Sequence, residues 1–252
     1  MRSTVGLSSF VVATLLSLSV HAQVRQLAIN DGQISGDLYL PPQVPAPAIF
    51  VLHTACGKVG IADRAVARML AEAGFVAFAI EYPNEGKPAW VKPYLDWMAA
   101  RPEAAGHQFG AVGFSAGGLR SFWLGVSPRV KAIVSFYGTY DLSTSPIAKM
   151  RATPAGSPIL RVDKISAAVL MLHGQLDTEV PLEQIERMKQ AVLARGLPAE
   201  AVIYPGDYHG FDRGVECSPS DTTANGTRIK HDPAAEKDSY ARMVAWFKTY
   251  LK

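Results

Sequence analysis

Six short runs of the chain are apolar at almost every position: Ala48 to His53, Phe75 to Ile80, Phe109 to Phe114, Ala132 to Phe136, Ala168 to Leu172 and Ala201 to Tyr204. A strand with no polar face is covered on both sides, as in a parallel sheet between two layers of helix. The stretches between these runs place apolar residues at helical spacing. Helices are predicted over Ile61 to Ala73, stopping at Gly74, and over Trp90 to Arg101, Ala116 to Gly125 and Leu182 to Arg195, with a final amphipathic helix over Ala234 to Leu251. Ahead of the first run, Arg25 to Asn30 and Gly36 to Leu40 are expected to pair as an antiparallel hairpin turning at Asn30-Asp31-Gly32. Strands alternating with helices in this way predict an α/β fold with a mostly parallel central sheet and helices on both faces. Between Gly138 and Lys164, where Ser, Thr and Pro are frequent, only short helical pieces are expected.

Composition narrows the class without altering this picture. A chain of 252 residues that is 48% hydrophobic and 19% charged is ordinary globular material, and no compositional shift divides residues 23–252, so one domain is expected there. The formal net charge is +3, falling to +2 if Arg2 leaves with residues 1–22. With no basic run or basic helix face, this balance speaks against nucleic acid as a partner. Arg2, the apolar stretch Phe10 to Val20 and then Val20-His21-Ala22 fit a secretory signal peptide over residues 1–22, cleaved before Gln23. An uncleaved anchor is the alternative, but the apolar stretch is short for a membrane span. The mature protein is therefore expected to be periplasmic or secreted, with no stable membrane span. Export permits a disulfide between the two cysteines, Cys56 and Cys217, and two free buried thiols fit the sequence equally well.

Candidate chemistry centres on Gly113-Phe114-Ser115-Ala116-Gly117-Gly118, between a predicted strand and a predicted helix. A serine on such a turn is forced into a backbone conformation that needs small neighbours, and its hydroxyl stands clear of the sheet. Ser115 is the candidate nucleophile. The N–H of Ala116, at the helix start, is one expected oxyanion donor. Sites in such sheets form at the carboxyl ends of the strands, so the partners are sought just past each one. After Ala168 to Leu172 comes His173-Gly174-Gln175-Leu176-Asp177-Thr178-Glu179, and after Ala201 to Tyr204 comes Pro205-Gly206-Asp207-Tyr208-His209-Gly210-Phe211-Asp212-Arg213. The order serine, acid, histidine suits this nucleophile turn, with His209 as proton carrier and Asp177 as the acid that orients it. Glu179 and Asp207 are rival acids, and His173 and His231 rival histidines. A second oxyanion donor is expected in the loop His53-Thr54-Ala55-Cys56-Gly57, at the N–H of Ala55 with Cys56 next. No spacing of His and Cys suggests a metal site.

These residues carry a resemblance to the dienelactone hydrolase family of the α/β hydrolases over most of residues 36–252. The similarity lies in the strand into His53-Thr54-Ala55-Cys56-Gly57, in Ala71-Glu72-Ala73-Gly74-Phe75, Glu81-Tyr82-Pro83 and the serine motif, and in His173-Gly174-Gln175-Leu176-Asp177 and His209-Gly210-Phe211. The resemblance implies an α/β-hydrolase fold without a large cap domain, no cofactor, and a triad of Ser115, Asp177 and His209. It further implies that Arg213, four residues past His209, holds a substrate carboxylate through a bidentate guanidinium contact. Tyr82 and Tyr137, each at a strand end, are expected to line the pocket. The enzymes that name the family use cysteine where this chain has Ser115, and keep a glutamate in the loop that here reads His53-Thr54-Ala55-Cys56. Serine without that acid looks like a general ester hydrolase acting on a small-molecule ester or lactone through an acyl-enzyme. A peptidase or amidase on the same fold, and an inactive binding protein on a hydrolase scaffold, are the alternatives.

Overall fold

The computed structural model describes residues 23–83, 88–144, 156–213, 222, 226 and 228–252. The expected signal peptide and Cys217 lie outside the described residues. The elements run β1 (Arg25–Asp31), β2 (Ile34–Leu40), β3 (Ala48–Leu52), α1 (Ile61–Glu72), β4 (Val76–Glu81), α2 (Val91–Ala99), β5 (Phe109–Phe114), α3 (Ala116–Leu124), β6 (Val130–Phe136), β7 (Ala168–Gly174), α4 (Leu182–Leu193), β8 (Ala199–Tyr204) and α5 (Pro233–Tyr250). Every expected strand and helix is present, with ends moved by a few residues. Two such shifts matter for the site. Strand β7 runs on through His173 and Gly174, which pair with Ile203 and Tyr204. Helix α2 begins one residue late, behind a 3₁₀ turn at Pro88–Trp90.

The eight strands form one sheet in the order β1-β2-β4-β3-β5-β6-β7-β8. The hairpin β1–β2 and the β2–β4 pair are antiparallel, and β4, β3, β5, β6, β7 and β8 are mutually parallel. Burial explains the apolar runs, because β3, β5 and β7 are buried at every position. Two hydrophobic layers sandwich the sheet. One holds Val66, Ala67 and Leu70 of α1 with Met243 and Phe247 of α5. The other holds Tyr94, Leu95 and Met98 of α2, Phe122 and Trp123 of α3, and Ile185, Met188 and Val192 of α4. Strand β3 lies between β4 and β5, and its connection leaves over the opposite face from that of β5. The crevice at the carboxyl ends of β3 and β5 is therefore the topological switch point, where such sheets take their ligands.

Candidate active site

Ser115 sits between β5 and α3 at φ 53°, ψ −114°, and with Tyr137 it is one of two non-glycine residues at positive φ among those described. Its neighbours allow the turn. A Cβ on Gly113 would lie 2.0 Å from the carbonyl oxygen of Gly117, and one on Gly117 would lie 2.3 Å from that of Leu52 and 2.5 Å from that of His53. The second clash shows how closely the loop after β3 approaches the start of α3. Backbone bonds hold the turn at both sides: Ser115 N–H donates to Phe136 C=O at 2.9 Å, and Leu119 N–H to Ser115 C=O at 3.2 Å. Ala116 opens α3, so its N–H has no acceptor within the helix and carries the positive end of the helix dipole.

The two loops expected to supply partners deliver them. Ser115 Oγ lies 2.9 Å from His209 Nε2, and His209 Nδ1 lies 2.8 Å from Asp177 Oδ2. A carboxylate only accepts, so the Nδ1–H of His209 donates to Asp177, and Nε2 is left to accept from the serine hydroxyl. Asp177 is itself fixed, for its other oxygen accepts from Glu179 N–H at 2.8 Å and Val180 N–H at 3.0 Å. The two loops are stitched together by Leu176 N–H to Asp207 C=O at 2.7 Å and Gln175 N–H to Tyr204 C=O at 2.9 Å. Burial pushes the His209 pKa down, but the charge and hydrogen bond of Asp177, aided by Glu179 and Asp212, outweigh it and raise the imidazole above its ordinary value. Burial likewise pushes Asp177 up, and the charge and hydrogen bond of His209 outweigh it and lower the carboxyl.

The rival groups separate clearly. His173 is fully buried beneath Asp177, its Nε2–H donating to Val180 C=O at 3.0 Å and lying 3.5 Å from Asp177 Oδ2. Burial lowers its pKa. His231 pairs with Glu236 on the surface at 2.7 Å. Asp207 enters the site through its backbone carbonyl alone among the contacts above. Glu179 is the one rival acid that reaches the imidazole, with Oε2 3.4 Å from His209 Nε2.

On the other side of the serine, the loop after β3 carries the proposed second oxyanion donor, Ala55. Val59 N–H donates to the Glu81 carboxylate at 3.0 Å, and Cys56 N–H to Thr54 Oγ1 at 3.3 Å. Cys56 is disulfide-bonded. His53 plays a structural part: its Nδ1–H donates to Thr54 C=O at 2.7 Å and its ring stacks on Tyr82 at 4.0 Å. Among the described residues no group of three or more His, Cys, Asp or Glu side chains is placed to hold a metal ion.

The three residues expected to face substrate are placed otherwise. Tyr82 is buried between His53 and Trp90, and its hydroxyl donates to His53 C=O at 2.5 Å. Tyr137 is buried against the His209 ring at 4.7 Å, with its hydroxyl donating to Asp212 at 2.6 Å. Tyr82 thus holds the loop after β3, and Tyr137 packs on the histidine. Arg213 lies in a buried ion-pair network: Nη1 is 2.7 Å from Asp63 Oδ1, Nε is 3.1 Å from Asp212 Oδ2, and the guanidinium lies 3.4 Å over the Phe114 ring. Its side chain is 3% exposed. Two internal carboxylates thus hold the groups that a substrate carboxylate was expected to use, and Tyr240 completes the network by donating to Asp212 at 2.9 Å. Asp63 and Asp212 were missed in the sequence. Asp63 also accepts from Gly60 N–H at 2.9 Å at the start of α1, and an acid three residues past a glycine at a helix start was its only local signal.

Residues 87–251 match the sequence profile of the dienelactone hydrolase family. A protein of Escherichia coli O157:H7 named a carboxymethylenebutenolidase is 30% identical over 233 residues, covering 82% of this chain and 78% of that protein. In structure the chain is similar to a dienelactone hydrolase of Klebsiella pneumoniae subsp. pneumoniae, with a TM-score of 0.67 and 24% identity over 90% of this chain and 98% of that one. It is also similar to the acylaminoacyl peptidase of Pyrococcus horikoshii, with a TM-score of 0.69 and 17% identity over 91% of this chain and 41% of that one.

Proposed function

The chain belongs to the dienelactone hydrolase family of α/β hydrolases, and from that premise we propose that it is a serine hydrolase cleaving carboxylic esters or lactones through an acyl-enzyme. The observation that carries this reading is the continuous chain Ser115 Oγ, His209 Nε2, His209 Nδ1, Asp177 Oδ2, with contacts of 2.9 and 2.8 Å on a serine held at positive φ. His209 Nε2 takes the hydroxyl proton as Ser115 Oγ attacks the carbonyl carbon, and gives it to the leaving oxygen as the tetrahedral intermediate collapses. Asp177 holds the tautomer and balances the imidazolium. The N–H groups of Ala116 and Ala55 receive the oxyanion. Water then repeats the sequence on the acyl-enzyme, with His209 again as base, and frees Ser115.

Ester rather than amide cleavage is supported by the name carboxymethylenebutenolidase on the relative, which denotes opening of an enol lactone. Within esters, the pairing of Arg213 with Asp63 and Asp212 favours neutral acyl groups over carboxylate-bearing ones. Export through residues 1–22 belongs to the same reading, and a disulfide at Cys56 suits an oxidising compartment. The test is a panel of nitrophenyl esters of increasing chain length, with a neutral and an acidic enol lactone, given to the protein and to Ser115→Ala, together with phosphonate labelling. Serine-dependent turnover and labelling are expected. An unlabelled Ser115 and turnover that survives its replacement would overturn the mechanism.

A further inference from the structure

The loop that supplies Asp177 supplies a second carboxylate two residues later, and it faces the opposite nitrogen of the same imidazole. Glu179 Oε2 lies 3.4 Å from His209 Nε2, while Asp177 Oδ2 lies 2.8 Å from Nδ1. Both side chains are almost fully withdrawn from solvent, Glu179 at 6% and His209 at 6% exposed. The pair is tied at the backbone as well, since Glu179 N–H donates to Asp177 Oδ1 at 2.8 Å. We propose that Glu179 is a second carboxylate of the catalytic centre, a positioning residue that stabilises the His209 imidazolium from the Nε2 side while Asp177 does so from the Nδ1 side. The proposal rests on the reading of His209 as the proton carrier.

The chemistry follows from what Nε2 carries at each stage. In the resting enzyme Nε2 presents a lone pair to the serine hydroxyl, and a carboxylate beside it gains nothing. Once Nε2 has taken the serine proton, it carries an N–H and the ring is a cation, so the same carboxylate attracts it at short range in a site sheltered from water. Glu179 therefore acts on the charged state formed during attack and leaves the resting state unaided, which is the condition for accelerating a step. No proton moves to Glu179: it stays on Nε2 until the leaving oxygen takes it. The cost is paid at low pH, where the same attraction keeps His209 protonated and unable to accept from Ser115.

The other groups around the ring do not duplicate this role. Asp177 holds Nδ1; His173 stands behind Asp177 at 3.5 Å and donates to Val180; Asp212, on the histidine's own loop, is bonded to Tyr137, Tyr240 and Arg213; and Tyr137 presents its ring face. The raised pKa of His209, to which Glu179 contributes after Asp177, agrees with this geometry.

Glu179→Gln is the test, because it removes the charge and keeps the shape. Two readouts are taken: the pH profile of kcat and KM on a neutral nitrophenyl ester, and the titration of the His209 ring followed by NMR in the protein without substrate. The expected result is a fall in kcat of about tenfold at the alkaline plateau with KM unchanged, and a displacement of both the acid limb and the ring titration to lower pH by about one unit. Glu179→Asp, which retracts the charge by one methylene, is expected to lie between the two, and it stands in should the glutamine variant not fold. If His209 titrates at the same pH in all three proteins, the proposal is overturned whatever the activity does. Because the ring titration needs no turnover, it reads out even if the panel of esters is not hydrolysed.

Discussion

In the proposed mechanism His209 accepts a proton from Ser115, which it can do only while its Nε2 is bare, so the direction of its pKa shift sets the pH at which the site switches on. His209 is raised above the ordinary imidazole value by Asp177, with Glu179 and Asp212 adding to it. Rising pH strips the proton from Nε2, and kcat/KM is expected to climb through a midpoint above about pH 6.5, measurable as the acid limb of a pH profile. Ser115→Ala is expected to lower kcat by about four to six orders of magnitude while leaving the melting temperature nearly unchanged. Arg213 carries a different expectation. Its replacement by Ala strands the buried carboxylates of Asp63 and Asp212, which should cost about 3–5 kcal/mol in chemical denaturation and shift KM for acidic and neutral esters alike. The contrast shows what a sequence exposes at this scale. That Ser115, Asp177 and His209 would meet was legible because each follows a strand end in a fixed order. The role of Arg213 was not, because its acid Asp63 lies 150 positions away and nothing local pairs them.

At the scale of elements, apolar runs located β3 to β7, where burial on both faces leaves a nearly unbroken apolar signature, while β1 and β2 were found from their turn residues and the half-exposed edge strand β8 from a short apolar run. The ends were less legible. His173 and Gly174 read as the first residues of a loop, yet β7 continues through them because β8 pairs that far, and pairing is decided by the neighbour strand. Helix α5 has a start that the chain does announce: the Asp232 side chain accepts from Ala234 N–H at 2.8 Å and Ala235 N–H at 3.1 Å, with Pro233 at the first helical position. Asp232→Ala is expected to lower stability slightly, seen as a small drop in denaturation midpoint, with kcat unchanged well below it. The turn into α3 is less forgiving. Gly117→Ala places a methyl group against the Leu52 and His53 carbonyls, so α3 must move away from the loop that carries Ala55. Turnover should fall steeply in that variant even where folded protein is recovered, and circular dichroism beside the ester assay separates the two losses.

Across the whole molecule, the sheet separates what holds the fold from what does chemistry. Phe247 packs under Gly110 near the amino end of β5, while Ser115 follows the carboxyl end of the same strand. Phe247→Ala should therefore cost about 3–5 kcal/mol of stability and leave kcat intact at temperatures where the protein stays folded. The parallel order also scatters the site along the chain: Ser115 and His209, which share a hydrogen bond, stand 94 positions apart. A chain still being synthesised and halted at residue 200 would hold the nucleophile and its acid but no base. Under the proposed mechanism turnover requires the finished polypeptide, and its return after dilution from denaturant would report the docking of the last loop against the strand end that carries Ser115.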